Sequence, residues 1–194
     1  MLLYTLINRF MKTRKFLSVA FLTIVFGATS FAQKSVMVGG AAMYPSKNII
    51  ENAVNSKDHT TLVAAVKAAG LVETLQGKGP FTVFAPTNAA FAKLPMGTVE
   101  TLLKPENLKM LQTILTYHVV SGKMNAADIA KAIKAGNGKA TLKTVSGGTL
   151  TAWMKGKKLY ITDENGTLSE ITIADVNQSN GVIHVVDTVV LPKQ

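Results

Sequence analysis

The sequence predicts an α+β protein with a helix-rich first half and a β-meander in the second half. In the first half, apolar residues recur at three- and four-residue intervals, which is the spacing of a buried helix face. After Gly138 the apolar residues alternate with polar ones, as they do in strands that bury one face. Two Asn-Gly pairs, at residues 165–166 and 180–181, interrupt this alternating part, and Asn-Gly is a strong signal for a hairpin turn.

The first 32 residues have the pattern of a secretory signal peptide. Basic residues at 12–15 precede an apolar run at 16–28, whose roughly 13 residues are fewer than the ~20 that cross a bilayer. The small residues Ser30 and Ala32 predict cleavage after Ala32, and the alternative is an uncleaved membrane anchor. The protein is therefore expected to be exported, and to be secreted, periplasmic or held at the cell surface.

Residues 33–45 and 46–193 are expected to behave differently. Gly39, Gly40 and Pro45 fall in the first of these segments, and their abundance in so short a stretch predicts a flexible leader. The second segment suits a single domain that is large enough to bury a core. Because the sequence contains no Cys, packing rather than disulfide bonds must stabilise that core, and a lipid-modified Cys is excluded.

The charge of the chain is basic but dispersed. The formal net charge is +10 at pH 7, of which four units belong to the first 32 residues. The other basic residues are spread singly, apart from a group at 155–158 in an expected hairpin turn. Nucleic-acid-binding proteins usually carry a denser basic stripe with aromatic platforms, so no nucleic-acid partner is expected. A weak, salt-sensitive attraction to anionic polysaccharide or lipid is the alternative to a simple solvated surface.

Six helices are predicted in the first half, from apolar periodicity and from residues that start or stop a helix. Thr87 and Thr98 are good N-caps, and Pro105 suits the first turn of a helix. Gly70 and Gly136 are good C-terminal stops. The predicted helices span 48–54, 62–69, 88–94, 99–103, 105–117 and 125–135.

One strand is predicted inside the helical half and five strands in the meander. Residues 81–85 are strand formers, and Pro86 should end that strand because it has no N–H for a ladder hydrogen bond. The turns of the meander contain Gly or Asn, which favours hairpin connections between neighbouring strands. The predicted meander strands span 141–145, 149–155, 159–161, 171–176 and 182–191.

Three segments together resemble the fasciclin-like domain family. They are TVFAPTNAAF at 82–91, ILTYHVV at 114–120 and NGVIHVVDTVVLP at 180–192, in the order and spacing of that family. The resemblance covers about residues 46–193. It implies a wedge of two β-sheets with a helical layer, in the single-domain secreted form of a microbial member. Members of the family serve extracellular adhesion or matrix contact and are generally not enzymes.

The resemblance also implies roles for particular residues. Some animal relatives contact receptors through the Tyr-His element and the third segment, which would place contacts at Tyr117, His118 and Asp187 here. The residues with an implied structural role in the segments are Phe84, Pro86, Thr87, Asn88, Phe91, Asn180, Gly181 and His184. For His118 and His184 the other interpretation is a buried histidine that is hydrogen-bonded to the backbone, because buried polar groups are nearly always paired.

Trp153 and Tyr160 lie on neighbouring strands of an expected hairpin. One interpretation is a cross-strand aromatic pair that belongs to the core. The other is an exposed platform on which a sugar stacks, with the lysines of 155–158 beside it. The pattern is compatible with both.

The sequence contains no recognisable catalytic or metal-binding motif. Its three His show none of the short spacings of zinc sites, and there is no Gly-x-Ser-x-Gly elbow. The leading prediction is an exported interaction protein, without cofactor or metal, that binds surface proteins or extracellular glycans as a monomer. Membrane contact is expected only through the signal segment, if that segment is not cleaved. The alternative is a carrier of small molecules or lipids with an apolar cleft, and a hydrolase is the least favoured hypothesis.

Overall fold

The computed structural model describes residues 34–193, so the predicted signal peptide lies outside the described residues. The strands in this part are β1 (Val36–Val38), β2 (Ala41–Met43), β3 (Phe81–Pro86), β4 (Val119–Ser121), β5 (Lys139–Lys143), β6 (Thr149–Lys155), β7 (Lys158–Thr162), β8 (Leu168–Gln178) and β9 (Gly181–Val186). The helices in the same part are α1 (Ile49–Ala53), α2 (Thr60–Ala68), α3 (Val72–Gln76), α4 (Asn88–Phe91), α5 (Thr98–Leu102), α6 (Leu108–Tyr117) and α7 (Ala126–Ala135). Short 3-10 turns at Lys57–His59 and Pro105–Asn107 precede α2 and α6. None of these helices is long and apolar enough to cross a membrane.

The strands form two sheets. β1 and β2 pair as a separate hairpin, and the other seven strands follow the order β4-β3-β9-β8-β7-β6-β5. Neighbours in the larger sheet are antiparallel except β3 and β9, which run parallel. The two edges of this sheet touch, because Val120 on β4 forms a β-bridge with Thr144, just after β5. The predicted α+β class, with helices first and strands later, is confirmed.

Two apolar clusters form the core, and β3 and β9 contribute to both. The first cluster includes residues of α1, α2 and α3 together with Val83 of β3 and Ile183 of β9. The second cluster includes residues of α7 and β5–β7 together with Phe84 of β3 and Val186 of β9. Successive side chains of a strand point to opposite faces, so each of these two strands is covered on both faces. They are the centre of the domain.

The interpretation of residues 33–45 as a flexible leader is wrong for most of that segment. β1 and β2 pair there, with Val38 opposite Ala41. Val38 and Met43 are each only 3% exposed and belong to the first apolar cluster. Gly39 has a φ of +56°, so the Gly-Gly pair makes a tight hairpin turn. The two glycines that suggested flexibility are therefore the turn residues of a docked hairpin.

The strand–Pro–helix prediction at 82–91 is close to the observed structure. Pro86 is the last residue of β3, and Thr87 accepts a hydrogen bond from the Ala90 N–H over 3.2 Å as the N-cap of α4. The last predicted strand, 182–191, is too long, because β9 ends at Val186. Beyond β9 the chain leaves the sheet pattern, since the Thr188 N–H bonds to a side chain, the hydroxyl of Ser169.

Asn180 connects the start of β9 to the helical layer. Its side-chain oxygen accepts from the Ile49 N–H over 3.1 Å, and its amide donates to the carbonyls of Leu75 and Gly77 over 2.8 and 2.9 Å. Its backbone carbonyl accepts from the Phe81 N–H over 3.0 Å, at the first residue of β3. One buried residue thus ties α1 and α3, through its side chain, to the β3–β9 pair, through its backbone.

We expect Asn180→Ala to lower the free energy of unfolding by roughly 1–3 kcal/mol, because it leaves the Ile49 N–H and two carbonyls without their partner. Chemical denaturation measures this effect. Asn165→Ala is the matched control, because Asn165 also precedes a Gly but bonds to the Leu191 and Pro192 carbonyls at the surface. Equal losses in the two variants would contradict the role given to Asn180.

Candidate functional site

The three segments that carry the family resemblance lie side by side as β3, β4 and β9, here called the motif strands. β4 pairs with one edge of β3 and β9 pairs with the other. The Phe84 N–H donates to the His118 carbonyl over 2.9 Å. The Phe84 ring stacks on His184, with ring centroids 5.7 Å apart and an angle of 26° between the planes. Segments that are far apart in the sequence therefore form one buried unit.

Tyr117 and His118 are in the interior, where they are 0% and 3% exposed. The Tyr117 hydroxyl donates to the Thr149 carbonyl over 2.6 Å. The Nδ1 of His118 donates to the Ile114 carbonyl over 2.8 Å, and its Nε2 accepts from the Val190 N–H over 3.3 Å. Both ring nitrogens of a neutral imidazole are thus used. In this conformation neither side chain is accessible to a partner, which fits the buried interpretation of His118.

Burial keeps both of these side chains uncharged. It lowers the pKa of His118 to about 4, although the hydrogen bond to Ile114 and the charge of Asp163 oppose the change. Burial also raises the pKa of Tyr117 to about 12. At neutral pH this junction between α6 and β4 is therefore polar but without charge.

His184 has a similar place on the other side of β3. It is fully buried, its Nε2 donates to the Met124 carbonyl over 2.9 Å, and its Nδ1 accepts from the Asp175 N–H over 3.4 Å. Asp175 has a φ of +59° in an irregular part of β8, and its carboxylate accepts from the Ala126 N–H over 2.6 Å. Burial lowers the pKa of His184 despite the opposing hydrogen bond and the charge of Asp175. The histidine joins β8 and β9 to the chain before α7.

The first segment also makes contacts that position neighbouring elements. The Asn88 side chain accepts from the Thr61 N–H over 3.0 Å and donates to the Lys57 carbonyl over 2.9 Å, which ties α4 to the start of α2. Phe91 is half-buried against the first apolar cluster. Together with the N-cap at Thr87, these contacts hold α4 in place between β3 and α2.

Of the three residues with an implied contact role, Tyr117, His118 and Asp187, the last is the one that reaches the surface. One oxygen accepts from the Glu170 N–H over 2.8 Å, and the other pairs with Lys93 over 3.1 Å. Burial favours a higher pKa for Asp187, but the hydrogen bonds from Glu170, Lys93 and Thr188 outweigh it and lower the pKa. The side chain is 41% exposed, so a partner can reach it.

Trp153 and Tyr160 form a stacked pair on the outward side of β6 and β7. Their ring centroids are 5.0 Å apart, and the planes differ by 21°. The indole N–H of Trp153 donates to the Thr162 hydroxyl over 2.9 Å, and the Tyr160 hydroxyl donates to Glu170 over 3.1 Å. Both residues are half-buried, so they are a cross-strand pair on the surface rather than in the core.

An apolar cavity of about 80 Å³ lies among α1, α2, α3 and β3. Its walls include Ile49, Val66, Leu75 and Val83, together with the buried ring of His59. Such a void cannot be read from hydrophobic periodicity, because periodicity says which residues are buried and not how well they fill space.

The buried histidines are engaged in hydrogen bonds that hold the fold. The Nδ1 of His59 lies 2.8 Å from the Ser56 hydroxyl, and burial lowers the pKa of His59 against the opposing effects of the Ala85 carbonyl and Asp58. Within residues 34–193 there is no cluster of three His, Asp or Glu side chains that could hold a metal ion.

Comparison with known proteins identifies the same segments. A family model for the Fasciclin domain matches residues 57–192. The protein sll1483 of Synechocystis is 46% identical over 170 residues, which are 88% of this chain and 87% of that protein. The cell surface glycolipoprotein MPB83 of Mycobacterium bovis is 31% identical over 166 residues, which are 83% of this chain and 68% of that protein.

A solved structure supports the fold. It is the FAS1 domain pair from the insect cell adhesion molecule Fasciclin I, with a TM-score of 0.66 and 18% sequence identity. The match covers 75% of this chain and 51% of that one, so the present chain spans about half of the domain pair. At this level of identity the likeness concerns the fold alone.

We expect the free energy of unfolding to fall as the pH is lowered from about 6.5 to about 4. Outside that range the contribution of His118 should change little. The unfolded chain binds a proton on His118 near pH 6.5, whereas the folded chain does so only near pH 4. The loss from this residue is on the order of 3 kcal/mol, and His59 and His184 act in the same direction. Urea denaturation between pH 4 and pH 8 measures it.

His118→Ala should lower the free energy of unfolding by roughly 1–3 kcal/mol at pH 7, because it leaves the Ile114 carbonyl and the Val190 N–H unpaired. It should also reduce the dependence of that free energy on pH. Tyr117→Phe is the control, because it removes a neighbouring hydrogen bond and no group that titrates in this range. A His118→Ala variant with the full pH dependence of the wild type would refute the assignment.

Proposed function

The chain belongs to the fasciclin domain family, and on that premise we propose that it is an exported single-domain interaction protein. It binds surface proteins or extracellular polysaccharide in adhesion or matrix contact. The observation that carries this proposal is the Fasciclin domain match over residues 57–192. It is supported by the names of two matched proteins, a cell surface glycolipoprotein and a cell adhesion molecule.

The hydrogen bonds of the histidines favour binding over catalysis. A hydrolase would need His118 or His184 beside a nucleophile and an acid. His118 instead bonds to the Ile114 carbonyl and the Val190 N–H. His184 bonds to the Met124 carbonyl and the Asp175 N–H. Both rings are committed to backbone groups, which supports a non-catalytic role.

Export is part of the proposal and rests on the pattern of residues 1–32. N-terminal sequencing of the protein recovered after expression in a secreting host is expected to begin at Gln33. A protein that keeps its first 32 residues would contradict cleavage and support the alternative of a membrane anchor.

The central experiment is affinity capture with the processed protein as bait, from the native extracellular and envelope fractions. We expect retention of surface proteins or polysaccharide, identified by mass spectrometry and by sugar analysis. The control bait is the same protein after thermal denaturation. A native bait that retains nothing more than the denatured one, together with turnover of a small substrate, would contradict the proposal.

The cavity favours a second candidate function, a carrier of a small apolar molecule. Its walls are mainly aliphatic, with the rings of Phe81 and Phe84 among them, which suits an apolar guest. Its size limits the guest, because pockets for drug-sized ligands are typically ~300–1,000 Å³ and this one is about 80 Å³. The closed form therefore suits a short alkyl segment, and a larger guest requires α1 or α2 to move.

We expect octanoate to raise the melting temperature if the cavity binds alkyl chains, because a ligand that binds only the folded state stabilises it. Ala53→Leu should abolish the effect, since Ala53 lines the cavity and the larger side chain fills it. Ala64→Leu is the matched control, because Ala64 is exposed on α2. An identical response of both variants to octanoate would rule out the cavity as the site.

A further inference from the structure

We propose that the outward surface of β5, β6 and β7 binds an anionic polysaccharide. This surface, here called the lysine–threonine face, consists of the side chains of these strands that point away from the core. The inference rests on the proposed function and names both the binding surface and the chemical class of the partner. Three features carry it: the exposure of the face, its two rows of side chains and its charge.

Alternation along the strands determines which residues belong to the face. On β5, Ala140 and Leu142 are buried in the second apolar cluster, while Lys139, Thr141 and Lys143 are exposed. β6 and β7 repeat the pattern, with the aromatic pair and the threonines on the outward side. The sheet therefore has one apolar side under α7 and one polar side toward solvent.

The first row of the face crosses β5, β6 and β7 and continues onto β8. Lys139 is opposite Trp153, Trp153 is opposite Tyr160, and Tyr160 is opposite Glu170 of β8. The stacked aromatic rings stand in the middle of this row. Aromatic surfaces of this kind contact the apolar C–H faces of sugar rings, while the lysine at the end of the row can meet a carboxylate or a sulfate.

The second row consists of hydroxyl groups. Thr141 is opposite Thr151, and Thr151 is opposite Thr162. Each hydroxyl can both donate and accept, as sugar hydroxyls do. The Thr162 hydroxyl already accepts from the Trp153 indole, which fixes the neighbouring ring of the first row. The two rows place hydrophobic and hydrogen-bonding groups side by side.

The charge of this part of the chain is strongly one-sided. Residues 122–162 contain eight Lys and a single acidic residue, Asp128. Asp128 is held in a capping box with Asn125 at the start of α7, where its carboxylate accepts from the Asn125 N–H over 2.9 Å. By contrast, residues 163–193 contain five acidic residues and one Lys. Basic and acidic residues are thus unevenly divided between these two stretches, and the face is built from the basic one.

Most lysines of the face have no carboxylate partner in the part of the chain that is described. Lys158 pairs with Glu170 over 2.8 Å, but Lys139, Lys143 and Lys155 have no carboxylate oxygen within 4.0 Å. Lys139 and Lys143 are four residues apart on one strand, which corresponds to ~13 Å. Three unneutralised ammonium groups on the outward side of one sheet are complementary to an extended polyanion with repeated negative charges.

The threonines and the aromatic pair favour a polysaccharide over an anionic lipid surface. A membrane-binding face presents protruding apolar side chains that enter the acyl region. The second row of this face presents hydroxyls instead, and the polar atoms of both aromatic residues are bonded to the neighbouring side chains of Thr162 and Glu170. We therefore assign the face to a polymer that offers hydroxyls and anionic groups together.

The test uses alginate, a polyuronate, as the anionic probe and dextran as the neutral control. Trp153 is the sole Trp of the chain, so its fluorescence reports directly on the face. We expect a saturable change in Trp153 emission on addition of alginate, weakened by added salt, and no change with dextran. Anionic phospholipid vesicles and analytical ultracentrifugation test lipid and self-association as other occupants.

Two triple variants with the same change of net charge locate the site. The first variant is expected to weaken alginate binding roughly tenfold or more. It combines Lys139→Glu, Lys143→Glu and Lys155→Glu. The second variant is expected to change alginate affinity less than about threefold. It combines Lys78→Glu, Lys104→Glu and Lys109→Glu, at exposed positions outside the face. Trp153→Phe keeps an aromatic ring and should bind nearly as well as the wild type by calorimetry, whereas Trp153→Ala should bind more weakly.

Four results would overturn the inference: equal losses in the two triple variants, equal binding of dextran and alginate, binding of vesicles without alginate, or a dimer that buries the face. Thermal melts of each variant confirm that it is folded before binding is compared. A flat alginate titration alongside successful capture of surface proteins would refute this inference and leave the proposed function standing. A capture experiment that retains polysaccharide but no protein, together with specific alginate binding, would instead restrict the function to polysaccharide.

Discussion

The parallel pairing of β3 with β9 is the interaction on which the rest of the domain depends. It joins segments about 100 residues apart, with Phe81 opposite Gly181 and Pro86 opposite Val186. Gly181 is needed at the start of this pair, because a Cβ there would lie 2.1 Å from the Phe81 carbonyl oxygen. Asn180 binds α1 and α3 at the same end, and β4 occupies the other edge of β3. Both apolar clusters are built against these strands, so the helices and the meander have no common core without them.

This arrangement explains why the most recognisable residues of the chain are not at the surface. Phe84, His118 and His184 meet across the motif strands, and their polar atoms are hydrogen-bonded to backbone. Burial lowers the pKa of both histidines, so the interior stays uncharged at neutral pH. Lys139, Lys143 and Lys155 instead project from the lysine–threonine face, on the outward side of strands that contribute only one face to the core. The architectural residues and the proposed recognition surface thereby lie in two parts of the same seven-stranded sheet.

Much of the fold can be predicted from the sequence, because helix periodicity, Asn-Gly turns and strand alternation are local signals. The β1–β2 hairpin could not be predicted, since Gly39-Gly40 is equally typical of a flexible segment and of a tight turn. The candidate face could be predicted only in part. Trp153 and Tyr160 are recognisable as neighbours in a hairpin, but Lys139 joins their row only through the register of β5. The lysines look scattered because sequence distance hides their alignment across strands. The cavity depends on imperfect packing, for which sequence has no signal.

The separation of architecture from recognition is tested most directly by mapping backbone amide and Trp153 indole chemical shifts by NMR, with and without polysaccharide purified from the native extracellular fraction. Changes are expected at the Trp153 indole and along Lys139–Lys143, Thr149–Lys155 and Lys158–Thr162, with the motif strands unaffected. Changes concentrated at Tyr117, His118 and Asp187, with a silent Trp153 indole, would contradict it and place recognition at the motif strands.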